Sequence, residues 1–338
     1  MDLKIHTFDL PLKHEFTISR ESRTVQETVI VELADGGHSG FGEATTNPYY
    51  NVTVSTMSSA LERVRPLLGG ELLEDPSDLW DQLAPHLEEN PFALCALDQA
   101  AWDLWGKKKN KPVYQLWGLD PADAPLSNFT IGIDQVDVMV AKLLEVPDWP
   151  IYKIKLGTSA DLEIIRELRR HTKAPFRVDA NCGWNVEETL GNAPELEELG
   201  VEFIEQPLPA EDWQGNQRLF EESPLPIIAD ESCIAEKDVS GCHGKFHGIN
   251  IKLVKCGGLT PALRMITRAQ SLDMKTMVGC MTESTVGISA IAQLAPLLDY
   301  VDMDGAALLA RDIATGVVVD CGKCIFPAVA GSGVTLAP

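Results

Sequence analysis

Positive charge is in short supply in this chain. Lysine and arginine number 28 against 50 aspartates and glutamates, a formal net charge of −22. So acidic a surface offers no electrostatic footprint for nucleic acid or an anionic membrane, and its excess charge serves solubility. Apolar runs are also short. None approaches the roughly 18 residues that a bilayer-spanning helix needs. Met1-Asp2-Leu3-Lys4-Ile5-His6 leads into no sustained apolar stretch, so a secretory leader is not expected. A disulfide framework is missing too. The eight cysteines are scattered, Cys95 and Cys280 within apolar runs, and read as free thiols of a cytoplasmic protein. Cys321-Gly322-Lys323-Cys324 has neither a second pair to complete a zinc site nor a preceding thioredoxin-type βαβ unit. Cys242, His243 and His247 have zinc-like spacing, but they precede the apolar run at 249–253, away from the end of a barrel strand where catalysis occurs.

What is present has a clear order. The 338 residues suffice for one large domain and a smaller one. The first 50 residues alternate in the manner of strands, with Asp35-Gly36-Gly37 as a tight turn between Val29–Leu33 and Ser39–Glu43. From about 55 to 118 the period becomes helical, and Leu97, Ala100, Ala101 and Leu104 form one apolar stripe. Lys107-Lys108-Lys109 reads as the solvated end of that helix. From about 126 onward, apolar β-like runs recur at 128–133, 151–156, 176–180, 202–205, 226–230, 249–253, 275–279 and 300–304. Amphipathic helices, such as the one at 161–168, fit between most of them. Eight such units predict an α/β fold, a closed (β/α) barrel preceded by an α+β segment. The expected division is 1–120 for the N-terminal α+β segment, 121–310 for the barrel, and 311–338 for a tail that returns to the N-terminal segment.

Three carboxylates carry the chemistry. Asp179, Glu205 and Asp230 each close an apolar run and stand 26 and 25 residues apart, about one strand–helix unit. Lys155 closes a similar run 24 residues earlier, and Lys252 lies 22 residues after Asp230. In a barrel all five occupy C-terminal strand ends, where catalytic groups stand. A single acid there is adequately explained as a helix cap. Three on consecutive strands are better explained as ligands, and an all-oxygen set suits Mg²⁺ or Mn²⁺ and not zinc. Lys153 shares a strand face with Lys155, and two adjacent ammonium groups depress each other's pKa, which tunes Lys155 toward a base. Strands two and six face each other across a barrel mouth, so Lys155 and Lys252 address opposite sides of one carbon atom. One removes a proton, the other returns it, and the product is the epimer.

With these residues assembled, the chain resembles the muconate-lactonising subgroup of the enolase superfamily. Lys153-x-Lys155, Asp179-Ala180-Asn181, Glu205-Gln206-Pro207, Asp230-Glu231-Ser232, and Asn250-Ile251-Lys252 with Gly257-Gly258 all match that pattern. Ala96–Leu104 is similar to the family's capping-domain helix. The resemblance implies a modified (β/α)₇β barrel of TIM type, an α+β capping domain, and one Mg²⁺ per subunit held by Asp179, Glu205 and Asp230. It also implies Lys155 and Lys252 as the acid/base pair.

Within that subgroup Asp302-Met303-Asp304 on the eighth strand is discriminating. Two more negative charges beside three acids are costly unless a cation arrives, and the α-ammonium of a dipeptide is one. Dipeptide epimerases use a matching Asp-x-Asp in this way. Arg23 matches an arginine that contacts the glutamate part of the substrate in L-Ala-D/L-Glu epimerases, and an arginine suits a second carboxylate. Tyr50, with Tyr49, either walls the pocket or packs within the cap. The preferred reading is a cytoplasmic, Mg²⁺-dependent dipeptide epimerase acting on L-Ala-D/L-Glu from peptidoglycan turnover. Its partners are a small dipeptide, neither nucleic acid nor membrane, and self-association into a homo-oligomer is compatible with it. The alternatives are an N-acylamino acid racemase, o-succinylbenzoate synthase or cycloisomerase, which have no use for Asp302 and Asp304, and a non-catalytic Mg²⁺-dependent peptide-binding barrel.

Overall fold

A computed structural model describes residues 1–69 and 73–337. Strands β1 (Asp2–Ile18), β2 (Glu21–Asp35) and β3 (His38–Thr45) form one antiparallel sheet in that order. Gly36 and Gly37 make the two-residue turn between β2 and β3, both at positive φ. Val29, Val31 and Leu33 point into the main core, while Ile30 points the other way into a small cluster with Val286, Ala314 and Val334. Strand β2 therefore has two buried faces over this stretch.

Helices α1 (Val54–Leu68), α2 (Pro76–Leu83) and α3 (Pro91–Lys109) follow. Asn90 caps α3, and Pro91 occupies its first turn. The sequence pattern predicts one apolar stripe on α3. Instead every residue from Phe92 to Leu104 is buried, because β3 covers one face and the barrel another. The backbones of β3 and α3 nearly touch. A Cβ on Gly42 would stand 2.1 Å from the carbonyl oxygen of Ala96. Gly42→Val is expected to lower stability by at least about 2 kcal/mol through overpacking, read as a fall in the denaturant midpoint. An unchanged midpoint would contradict this close approach. The end of α3 is also not simply solvated. Lys107 pairs with Asp103 at 2.7 Å and bonds the Ser39 and Val334 carbonyls, and Lys108 pairs with Asp35. Exposed carbonyls at a helix C-terminus attract cations, and here the cations tie that terminus to its neighbours.

Eight parallel strands then form one sheet. They are β4 (Phe129–Ile131), β5 (Tyr152–Lys155), β6 (Phe176–Asp179), β7 (Val201–Glu205), β8 (Ile227–Ala229), β9 (Gly248–Ile251), β10 (Lys275–Gly279) and β11 (Tyr300–Asp302), ordered in sequence. A helix follows each of the first seven, which is the (β/α)₇β arrangement. No described helix is long and apolar enough to cross a membrane.

Among the described residues, backbone closure between β4 and β11 rests on one bridge, Ser127 with Val301, supplemented by side chains. Asn128 Nδ2 donates to Asp302 Oδ1 at 2.7 Å, Thr130 N to Asp304 Oδ2 at 2.5 Å, and Met303 N to Ser127 Oγ at 3.0 Å. The N-terminal sheet joins the barrel through Glu43 at the end of β3. Its buried carboxylate accepts from Ser284 Oγ, Ser284 N and Gly287 N, so it caps the helix Thr285–Ala292. The last residues bond to both parts. Ser332 donates to Asp103, and Val317 N donates to Ser289 Oγ. Cys321 and Cys324 sit on a small terminal hairpin as free thiols.

Candidate active site

Register brings the predicted residues together. Lys155, Asp179 and Glu205 are lateral partners on β5, β6 and β7. Asp230 stands one residue past β8, Lys252 one past β9, and Asp302 ends β11. One oxygen from each of Asp179, Glu205 and Asp230 lies within 4.8 Å of the others. All three side chains are buried. Glu205 Oε1 accepts from Asn250 Nδ2 at 2.8 Å, whereas Oε2, 2.7 Å from Lys153 Nζ, receives no directed hydrogen bond. Burial, then the neighbouring Asp179, pushes the Glu205 carboxyl up to about 7. Three hard oxygen donors with one incompletely bonded carboxylate fit a divalent cation, which would reverse that upward shift.

Four lysines surround the carboxylates. Lys155 Nζ lies 2.7 Å from Asp179 Oδ2, and Lys252 Nζ 2.7 Å from Asp230 Oδ2, so the two flank opposite ends of the triad. Each keeps 8% of its surface exposed and lines the same cavity, whereas Lys153 has no exposed surface. Only the first two are open to a substrate. Adjacency to Lys155 alone predicts a depressed Lys153, and the structure reverses it. Burial does oppose its charge, but Asp302, Glu205 and Asp179 outweigh burial and hold its pKa well above the ordinary lysine value. Lys252 is raised in the same way, mainly by Asp230 against the effect of burial. Lys255 was not singled out from the sequence. It is buried, donates to Asp230 Oδ1 and to the Asp230 carbonyl at 2.5 Å each, and reaches the Cys233 carbonyl at 3.1 Å. Gln206 was likewise not given a role. Its Oε1 accepts from Asp230 N and Ser232 N and fixes the turn that carries Asp230.

Asp302 and Asp304 differ from each other. Asp302 bonds Lys153 at 2.8 Å and Asn128, and these partners hold it down to about 2 although burial opposes them. Among the described residues Asp304 is bonded only by neutral groups of Thr130, apart from its contact with Asp302. Burial, then the charge of Asp302, pushes it up to about 8. The expectation of two equivalent uncompensated acids therefore resolves into one satisfied acid and one that lacks a cation. Cys280 Sγ lies with this pair but is held as a neutral thiol by burial.

Arg23 stands near the tip of the β1–β2 hairpin, which reaches over the barrel mouth. Ser19 Oγ donates to the Asn181 carbonyl at 3.2 Å, and Ile133 N donates to Thr17 O at 2.8 Å. Arg20 pairs with the buried Glu231 at 2.6 Å and lies over the Tyr49 ring. Arg23 lines the cavity but is paired with Glu21 and bonded to Gln26. Tyr50 does both things considered for it, lining the cavity while packing edge-on to Tyr49 and against Phe92.

Comparison with known proteins agrees with this geometry. Family models match residues 2–118 (mandelate racemase / muconate lactonizing enzyme, N-terminal domain) and 137–338 (enolase C-terminal domain-like). The L-Ala-D/L-amino acid epimerase of Flavobacterium johnsoniae is 57% identical, over 99% of this chain and 100% of that protein. The L-Ala-D/L-Glu epimerase of Bacillus subtilis, solved as a substrate-liganded complex, superposes with a TM-score of 0.95 at 26% identity over 100% of this chain and 99% of that one. The dipeptide epimerase of Cytophaga hutchinsonii, solved with Mg and D-Ala-L-Val, gives 0.94 at 26% identity over 99% and 95% of the two chains.

Proposed function

The chain belongs to the enolase superfamily, in its mandelate racemase and muconate-lactonising branch, and from that premise we propose that it is a Mg²⁺-dependent dipeptide epimerase. It inverts the α-carbon of the C-terminal residue of dipeptides that begin with L-Ala. The observation that carries this reading is the pair of accessible lysines, Lys155 and Lys252, flanking opposite ends of a buried carboxylate triad.

In this reading residues 1–120 are the cap, 121–310 the catalytic barrel, and 311–338 a tail that returns to the cap. Asp179, Glu205 and Asp230 hold the metal. Bound Mg²⁺ supplies the positive charge that the substrate carboxylate needs as its α-proton leaves. A cation held by the triad would draw Asp179 and Asp230 away from Lys155 and Lys252, leaving the two amines, both of which line the cavity, to exchange a proton with the α-carbon. Lys153 and Lys255 remain as fixed counter-charges that orient the carboxylates. Asp304 receives the α-ammonium group, with Asp302 held behind it by Lys153. An N-acylated substrate would leave Asp304 without its cation, which disfavours an N-acylamino acid racemase. The hairpin tip, anchored by Arg20 on Glu231, keeps water from the reacting carbon.

The side-chain range follows from the two arginines. Arg20 is neutralised by Glu231 and Arg23 by Glu21, so no unpaired guanidinium is reserved for a glutamate side chain. We therefore favour a broad C-terminal range, with L-Ala-D/L-Glu as one member, and the resemblance to the Flavobacterium johnsoniae enzyme supports this breadth. The free thiols fit a cytoplasmic setting.

Incubation with L-Ala dipeptides and Mg²⁺ in D₂O is expected to give a one-dalton mass gain and both epimers. Chelation should stop the gain, and added Mg²⁺ should restore it. Tight dipeptide binding with no deuterium uptake would instead identify a non-catalytic binding barrel.

A further inference from the structure

A second cavity, about 260 Å³ in volume, lies beside the active-site cavity. One part of its lining is apolar, Phe129 tilted against Trp149 at 5.2 Å together with Val146, while Lys13, His14, Glu15, Lys142 and Glu145 line another part. Three residues line both cavities: Phe16, Thr130 and Leu308. Thr130 fixes the orientation of the wall between them. Its backbone N–H and hydroxyl both bond Asp304, so the second cavity adjoins the acid that faces the amino end of a substrate.

The wall is built from two elements. In β1 the register shifts between Pro11 and Phe16, so that residues 12–15 bulge away from β2. That bulge is anchored to the barrel, with Lys13 Nζ donating to the Ala307 carbonyl at 2.9 Å and His14 2.9 Å from Glu145. Leu308 closes the short 3₁₀ turn Gly305–Leu308 that directly follows Asp304. Phe16 and Leu308 thus reach both cavities from two separate elements.

We propose that Phe16 and Leu308 form a partition that restricts the N-terminal residue to a small side chain, and that the cavity behind it is a latent subsite for an apolar side chain at that position. This rests on the dipeptide epimerase reading and on Asp304 as the ammonium receptor. With the partition in place, the methyl group of alanine fits and a leucyl or phenylalanyl side chain meets it. With the partition cut back, such a side chain reaches the apolar part of the lining, formed by Phe129, Trp149 and Val146. One methylene in a pocket of this kind changes kcat/KM by roughly 10- to 200-fold.

The test is the ratio of kcat/KM for L-Leu-L-Glu to that for L-Ala-L-Glu, measured on wild type, Phe16→Ala, Leu308→Ala and the double variant. The ratio is expected to rise by about tenfold or more in at least one single variant, and further in the double variant. Adding Val146→Trp to the most permissive variant refills that apolar part and is expected to bring the ratio back down, which general loosening of the site would not do. If the alanine variants fail to fold, Phe16→Leu and Leu308→Val are expected to shift the same ratio in the same direction by a smaller factor. An unchanged ratio in folded, active variants overturns the partition alone. Absence of turnover of either dipeptide by wild type overturns the parent reading and the partition with it.

Discussion

Lys252→Ala and Lys155→Ala are each expected to abolish epimerisation, with kcat falling by at least about 10²- to 10⁴-fold, the range for loss of a positioned acid/base group. The two variants should lose different halves of the reaction. With one lysine left, the α-proton of one epimer still exchanges with solvent deuterium, while the other epimer is inert and neither converts to its partner. Chiral chromatography of the product, combined with mass analysis in D₂O, reads both halves. The arrangement of counter-charges makes this a test of chemistry and not of folding. Without Lys252, Asp230 keeps its bond to Lys255; without Lys155, Asp179 keeps Lys153 at 3.3 Å. Neither variant leaves a buried carboxylate without a cation. Full turnover in the double variant would end the two-base mechanism.

Asp304→Asn is expected to raise KM for free dipeptides by about 30-fold or more, since losing one partner of a buried charge pair costs about 2 kcal/mol or more. Inhibition by the corresponding N-acetyl dipeptide should change little, because it brings no ammonium to the site. Equal effects on both ligands would remove Asp304 from amine binding. The pH dependence has a definite sign. In the free protein the Asp304 carboxyl is pushed up to about 8, so at pH 6 to 7 it is largely protonated. An ammonium group binds the ionised form, so taking up the dipeptide there expels a proton. The kcat/KM for dipeptides should therefore rise with pH toward 8, and this rise should be missing in the asparagine variant.

The parts of the site legible in the sequence are those that strand ends impose. Asp179, Glu205 and Asp230 could be found because parallel β/α units repeat at about 25 residues and because each acid closes an apolar run. Register then placed Lys155 beside Asp179 without further assumptions. Lys255 was not legible. The apolar run at 249–253 reads as a strand, whereas the chain turns at Lys252 into the four-residue helix Leu253–Cys256, which swings Lys255 back onto Asp230. The three-residue spacing of Lys252 and Lys255 was the only available signal. The pairing of each arginine was also invisible, since Arg20 finds Glu231 from 211 positions away. The depressed Lys153 failed for a related reason. Counting its sequence neighbour gave one cation, while the fold surrounds it with three anions. Local pattern fixes which face a side chain takes; the charges it meets there belong to strands far away in sequence.

The seam between the first and last barrel strands has a consequence for the order in which the site comes into being. Asp179 meets Lys155 across a separation of 24 positions, and Lys252 meets Asp230 across 22. Asp304 meets Thr130 across 174. Closing the longer loop costs roughly 2 kcal/mol more chain entropy than closing one of about 25 residues. A half-built barrel can therefore already hold the triad carboxylates beside their lysines, whereas the contact between Thr130 and Asp304, the proposed receptor for the amine, forms only after the two ends of the sheet have joined. On the proposed function, recognition of the substrate's amino end is in this sense a readout of finished topology: it registers that the circle of strands is complete.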